Sequence, residues 1–140
     1  LNPDFIEKLR NSGLRPTKQR LKICEVLFNT KNTFHFTIND LSKIIIEKLN
    51  EKISLATVYN TVHAFKKKGY LKEISINSDK SYFDTNTSTH HHFYDEDSHE
   101  LIDCETTDIN PININKNITG KKINSVEVLI RVASDNQNQN

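Results

Sequence analysis

The chain has 140 residues, with 19 Lys/Arg against 18 Asp/Glu and a net charge of +1, which suits one ordinary domain or two small ones that gain stability by dimerising. The longest apolar run is the isoleucine triplet at 44–46 in a charged segment, and the N-terminus lacks a signal-peptide pattern, so a cytoplasmic protein with no membrane partner is expected. The 3 glycines form no phosphate-binding loop, no H-E-x-x-H or nucleophile elbow occurs, and Cys24 and Cys104 sit in no C-x-x-C pair, so the reading is of a non-enzyme with reduced thiols and no four-cysteine zinc knuckle.

In chain order, the spacing predicts a helix over 4–11 and a second over 16–29, opened by Pro16, with Leu21, Cys24, Val26, Leu27 and Phe28 as apolar contacts. A third covers 37–49, with Ile38, Leu41, Ile44, Ile45 and Leu49 inward. The fourth is marked at both ends, by Ser54 as N-cap and Gly69 as stop. Its apolar stripe is Leu55, Val58, Val62 and Phe65, which leaves Ala56, Tyr59, Asn60, His63 and Lys67 facing out. Residues 70–76 and 81–84 then form a hairpin about Asn77-Ser78-Asp79. Helices followed by a hairpin make a winged helix.

The second half has strand character at 90–94, 100–104 and 123–132, with a polar turn at 95–98. Residues 106–122 are rich in Asn and Ile and read as irregular, with room for one short helix; 135–140 lack apolar side chains and read as a disordered tail. Val126, Val128, Ile130 and Val132 alternate along the last strand and make a face that a lone three-stranded sheet cannot cover but a second copy can. The fold expected is α+β: a winged-helix DNA-binding domain over 1–84, a small α/β dimerisation and sensing domain over 85–134, and the tail.

The outer face of the fourth helix suits a DNA major groove. Ala56 and the Tyr59 ring can meet thymine methyls, Asn60 can pair with adenine, and Lys66 to Lys68 can reach phosphate. Charge agrees: residues 1–85 hold 15 Lys/Arg against 9 Asp/Glu, net +6, and residues 86–140 hold 4 against 9, net −5. A basic front half meets a polyanion and an acidic back half does not.

Ser54-Leu-Ala-Thr-Val-Tyr-Asn60 resembles the recognition-helix signature of the ferric uptake regulator (Fur) superfamily, metal-responsive dimeric transcription factors. Three further segments match in order: Gly13-Leu-Arg-Pro-Thr-Lys-Gln-Arg20, His35-Phe-Thr-Ile-Asn-Asp-Leu41, and Ser81-Tyr-Phe-Asp84 followed by His90-His-His92. Within the superfamily, His90-His-His-Phe-Tyr, Leu101-Ile-Asp103, the strand at 126–132 and the missing cysteine knuckle look most like the iron-response regulator branch, Irr. The resemblance implies a homodimer on an AT-rich inverted repeat of double-stranded DNA. It also implies DNA contacts from Ala56, Thr57, Tyr59, Asn60 and Lys67, with Arg15 entering the minor groove.

The chemistry lies at the junction of the halves. On a strand His90 and His92 share a face and His91 points away, so His-x-His is a two-point metal grip. Asp84 lies upstream, Asp103 in the strand expected beside the histidines, and His35 ahead of the third helix. The resemblance assigns these five, His35, Asp84, His90, His92 and Asp103, to a regulatory site between domains, and imidazole with carboxylate suits one divalent ion per chain, Fe, Mn or Zn. Phe93 and Tyr94 stand where relatives place further ligands, so a second metal site is not expected, while aromatic residues beside His90, His91 and His92 resemble a haem contact surface. The expected function is a metal-responsive, and in the Irr branch haem-responsive, regulator of iron or haem metabolism; a peroxide-sensing or metal-uptake regulator is the alternative. Cys24 reads as core, Cys104 as facing away from the site, and His63 and His99 as solvated.

Overall fold

A computed structural model of the chain describes residues 2–136. It divides into two compact units between Thr87 and Ser88, and each has a three-stranded sheet. Among the described residues no helix is long and apolar enough to cross a membrane.

The first unit runs α1 (Pro3–Asn11), α2 (Lys18–Phe28), β1 (His35–Phe36), α3 (Ile38–Leu49), α4 (Leu55–Lys68), β2 (Lys72–Ser75) and β3 (Ser81–Asp84). Each helix begins on a side chain that accepts an otherwise orphaned amide: Asn2 from Asp4, Thr17 from Arg20, Thr37 from Asp40 and Ser54 from Thr57. At Thr37 the capping is reciprocal, because the Asp40 carboxylate accepts the Thr37 N–H at 3.0 Å. The predicted start at Pro16 is corrected to Lys18, since Thr17 and not Pro16 supplies the cap. Asn50 and Gly69 close α3 and α4 at φ +50° and +92°, the left-handed conformation that Asn and Gly tolerate.

The helices bury Leu9, Ile23, Cys24, Leu27, Leu41, Ile45, Val58, Val62 and Phe65 in one core, each such side chain contributing about 1.5–3 kcal/mol. Two residues of α4 differ from the predicted stripe. Leu55 is 53% exposed, because it lies in the first turn beyond the edge of the core, and Thr61 is fully buried in its place. The Thr61 hydroxyl donates to the Thr57 carbonyl at 2.7 Å, so its burial leaves no lost hydrogen bond.

The predicted hairpin gains a third strand. β1 pairs with β3, His35 opposite Asp84 and Phe36 opposite Phe83, giving the order β1-β3-β2. β2 begins later than expected because the Tyr70 N–H still closes α4, donating to the Phe65 carbonyl at 2.9 Å.

The second unit holds β4 (His92–Asp95), β5 (Leu101–Asp103) and β6 (Leu129–Val132), in the order β5-β4-β6. β5 pairs antiparallel with β4, and β6 runs parallel to it. After β4 the Asp95 carboxylate accepts the N–H groups of Asp97 and Ser98, which turns the chain and holds its pKa below the ordinary value. β6 is shorter than the predicted 123–132, since β4 offers it partners only from His92 to Asp95. Residues 106–122 carry no helix, and Asn with β-branched Ile and Thr are weak helix formers. Of the tail expected at 135–140, residues 137–140 lie outside the described residues. Among the described residues of this unit only His92, Tyr94 and Leu101 are buried, while Ile102 and Ile123 are 46% and 57% exposed.

Candidate metal centre and nucleic-acid face

In the second unit the register of β4 and β5 sets His92 directly opposite Asp103. His92 Nε2 stands 3.2 Å and His90 Nε2 3.5 Å from the same carboxylate oxygen of Asp103, and the two imidazole rings are 4.3 Å apart. His92 is buried and Asp103 half exposed, so the three donors line a site open on one side.

The tautomer of His90 follows from its other nitrogen. Nδ1 lies 2.7 Å from the Ser88 carbonyl, which can only accept, so Nδ1 carries the proton and Nε2 of the neutral ring offers a lone pair. A lone pair facing a carboxylate oxygen is stable only with a proton or a metal cation between them. The donor set of two imidazoles and a carboxylate, with one ring already oriented by a backbone acceptor, fits a divalent ion.

His91 lies on the other side of the chain and is not part of this group. Its Nδ1 accepts the Val128 N–H at 2.9 Å and its carbonyl accepts the Cys104 N–H at 2.9 Å, so it ties β6 and the end of β5 to β4. Beside it a cleft of about 360 Å³ is lined by His90, His91, Cys104, Ile109, Pro111 and Val126. Tyr94 is 5% exposed, its hydroxyl 3.1 Å from His99 Nδ1 and the Arg131 guanidinium over its ring. His99, read as solvated, is exposed but held by that contact.

The other two predicted ligands belong to the first unit. His35 and Asp84 are direct partners across β1 and β3, so their side chains leave the sheet on one face. The His35 ring stands edge-on to Tyr82 at 6.0 Å. Asp84 is 2% exposed and its carboxylate accepts the Asn86 N–H at 2.8 Å. A strand of two residues was too short for periodicity to reveal, yet it is what sets His35 against Asp84. Cys24 is core as expected, burial pushing its thiol up to about 12.

On α4 the residues read as DNA contacts are presented outward. Ala56, Tyr59, Asn60 and Lys67 are exposed, and Thr57 is half-buried beside the Ser54 cap, its hydroxyl 2.9 Å from that of Ser54. Arg15 is exposed, and its carbonyl accepts the Thr17 N–H and the Arg20 guanidinium. A cleft of about 440 Å³ lined by Arg15, Lys18, Arg20 and Thr57 gathers basic groups at the start of α4. His63, read as solvated, is half-buried and packs against both Tyr59 and Phe83.

The profile of the ferric uptake regulator family matches residues 11–131. The chain is 32% identical to the peroxide operon regulator of Bacillus subtilis, over 86% of this chain and 81% of that protein. It is also 32% identical to the peroxide-responsive repressor PerR of Staphylococcus aureus, over 78% and 72%. Among solved structures it resembles the manganese-bound ferric uptake regulator of Pseudomonas aeruginosa, with a TM-score of 0.66 and 20% identity over 93% of this chain and 97% of that one. The ferric uptake regulator of Vibrio cholerae gives the same TM-score of 0.66 with 24% identity over 92% and 98%. These structural likenesses carry the fold.

Proposed function

The chain belongs to the ferric uptake regulator family, and from that premise we propose that it is a homodimeric, metal-responsive DNA-binding regulator of iron or haem metabolism, resembling Irr. The observation that carries the metal reading is the meeting of His90, His92 and Asp103 at one carboxylate oxygen. With His35 and Asp84 as the remaining members of the set, one divalent ion per chain, Fe, Mn or Zn, would be held by five donors. Such an ion would supply the positive charge that offsets the carboxylates of Asp84 and Asp103 and accepts the imidazole lone pairs of His35, His90 and His92. The residues do the rest: His35 and Asp84 fix the DNA-binding unit, and His90, His92 and Asp103 fix the sensing unit, so that two copies present their α4 helices at a set spacing.

Tyr59 and Asn60 then read an AT-rich inverted repeat, Arg15 enters the minor groove, and Lys67 meets phosphate. Dimerisation is supported by the second unit, which buries too few side chains to stand alone and leaves β6 residues such as Val132 partly exposed.

The haem arm of the reading rests on the cleft beside His90 and His91, whose wall of Ile109, Pro111 and Val126 is apolar. Tyr94, one of the aromatic residues expected at a haem surface, is buried against His99 and Arg131, so that role would pass to these cleft residues. Haem bound through His90 would withdraw a donor from the metal centre and lower DNA affinity. The similarity to peroxide regulators supports the alternative, in which peroxide is the releasing signal. Titrating haem and hydrogen peroxide separately into the metal-loaded protein on DNA tests the two. Release by haem with a histidine-type Soret shift supports the Irr reading, and release by peroxide alone replaces it with the alternative.

A further inference from the structure

We propose that His63 is a positioning residue, which holds Tyr59 in its base-reading orientation and joins it to the strand that carries Asp84. The inference rests on the reading of Tyr59 as a base contact. Tyr59 and His63 are one turn apart on α4, where side chains at i and i+4 meet. Their rings lie 4.1 Å apart with planes inclined by 36°. The His63 ring also meets Phe83, nearly perpendicular, at 5.4 Å and 77°. Phe83 is 2% exposed and stacks in turn on Phe36 at 6.1 Å and 28°.

Phe83 and Phe36 are partners across β3 and β1, and the next pair along the same ladder is Asp84 with His35. A row of rings therefore runs from the exposed surface of α4 to the strand pair that bears two of the five proposed ligands. The row has a mechanical consequence at each end. Tyr59 is 51% exposed, and an exposed tyrosine exchanges rotamers unless a neighbour confines it. The His63 ring, backed by a buried phenylalanine, confines it before DNA arrives. A shift of the His35–Asp84 pair moves Phe83, the neighbour of Asp84 in the chain, and Phe83 is what His63 leans on.

The test uses the full chain loaded with Zn(II), on a duplex selected by the wild type from a random pool and on a scrambled control. His63→Ala is expected to lower discrimination between the two by roughly five- to a hundredfold, the worth of one aromatic pair in each protomer of the dimer. The slope of affinity against salt should stay unchanged, and His63→Phe, which keeps the ring, should restore discrimination. The double variant with Tyr59→Ala should be no worse than Tyr59→Ala alone. Full discrimination by His63→Ala, or losses that multiply independently, overturns the proposal. If Tyr59→Ala itself keeps discrimination, the base-reading role fails first and the proposal with it.

A second measurement follows the ring resonances of ¹³C-labelled tyrosine during zinc titration. The Tyr59 ring is expected to shift in the wild type and to stay still in His63→Ala at equal zinc content. A Tyr59 ring that ignores zinc in the wild type overturns the link to Asp84. A chain that takes up no zinc refutes the metal centre and the link to Asp84 with it, and the discrimination experiment, run without added metal, then decides the role of His63 at Tyr59.

Discussion

Replacing Tyr59 and Lys67 separately by alanine should divide DNA binding into its specific and non-specific parts. Tyr59 is 51% exposed and packs on His63, so truncation costs the fold about 0.5–1.5 kcal/mol of ring contact and leaves α4 intact. On DNA it removes a base contact worth about 1–3 kcal/mol, and a dimer loses it twice, so discrimination should fall at least about thirtyfold. Lys67 is the better probe of phosphate than Lys66, whose amine is paired with Glu73 at 3.4 Å. Each phosphate contact contributes about 0.9 to the slope of log affinity against log salt, so Lys67→Ala in a dimer should flatten it by about 1.8. Between 50 and 200 mM salt the deficit of the variant should therefore shrink about tenfold, equally for all sequences. Fluorescence anisotropy on selected and scrambled duplexes at several salt concentrations measures both. A Tyr59→Ala protein with full discrimination, or a Lys67→Ala protein with the wild-type slope, would refute the assignment of α4 as the reading helix.

Thr37→Ala removes the hydroxyl that accepts the Asp40 N–H, leaving only the backbone arm of the capping box, and should cost about 1 kcal/mol in urea unfolding; an unchanged midpoint would remove the capping argument. The Cys24 thiol is raised from 9.0 to about 12 by burial, so the folded chain keeps it neutral while the unfolded chain ionises. Its contribution is complete below pH 9 and drains as pH rises towards 12, by about 1.4 kcal/mol per unit. Stability measured against pH should show that loss in wild type and less of it in Cys24→Ala; equal curves would contradict the burial argument.

What could be read from the chain beforehand was what local chemistry marks. Ser54 and Gly69 bound α4 because caps act within a turn, and the outward set Ala56, Tyr59, Asn60 and Lys67 follows from 3.6-residue periodicity. Leu55 and Thr61 exchange places because periodicity gives a direction on the helix but not how far the core extends beneath it. β1 and the parallel pairing of β6 were hidden, since both are non-local and a two-residue strand has no period to detect. At the candidate metal site, alternation put His90 and His92 together and His91 apart, although β4 itself begins only at His92. The His90 tautomer depends on the Ser88 carbonyl and the role of His91 on the Val128 amide, contacts no spacing rule encodes. His63 looked solvated because its partner Phe83 comes from another element; its i+4 spacing from Tyr59 was the one local signal.

The central claim is that His90 and His92 hold a divalent ion on which DNA binding depends. The direct measurement is metal content by elemental analysis, with operator affinity before and after chelation, for wild type, the His90→Ala/His92→Ala double variant and His99→Ala as control. Imidazole donors must be deprotonated to bind, so wild-type content should also fall in acid. The account predicts one ion per chain and chelator-sensitive DNA binding in wild type and His99→Ala, and neither in the double variant. Equal metal content and equal DNA affinity in wild type and the double variant would contradict it.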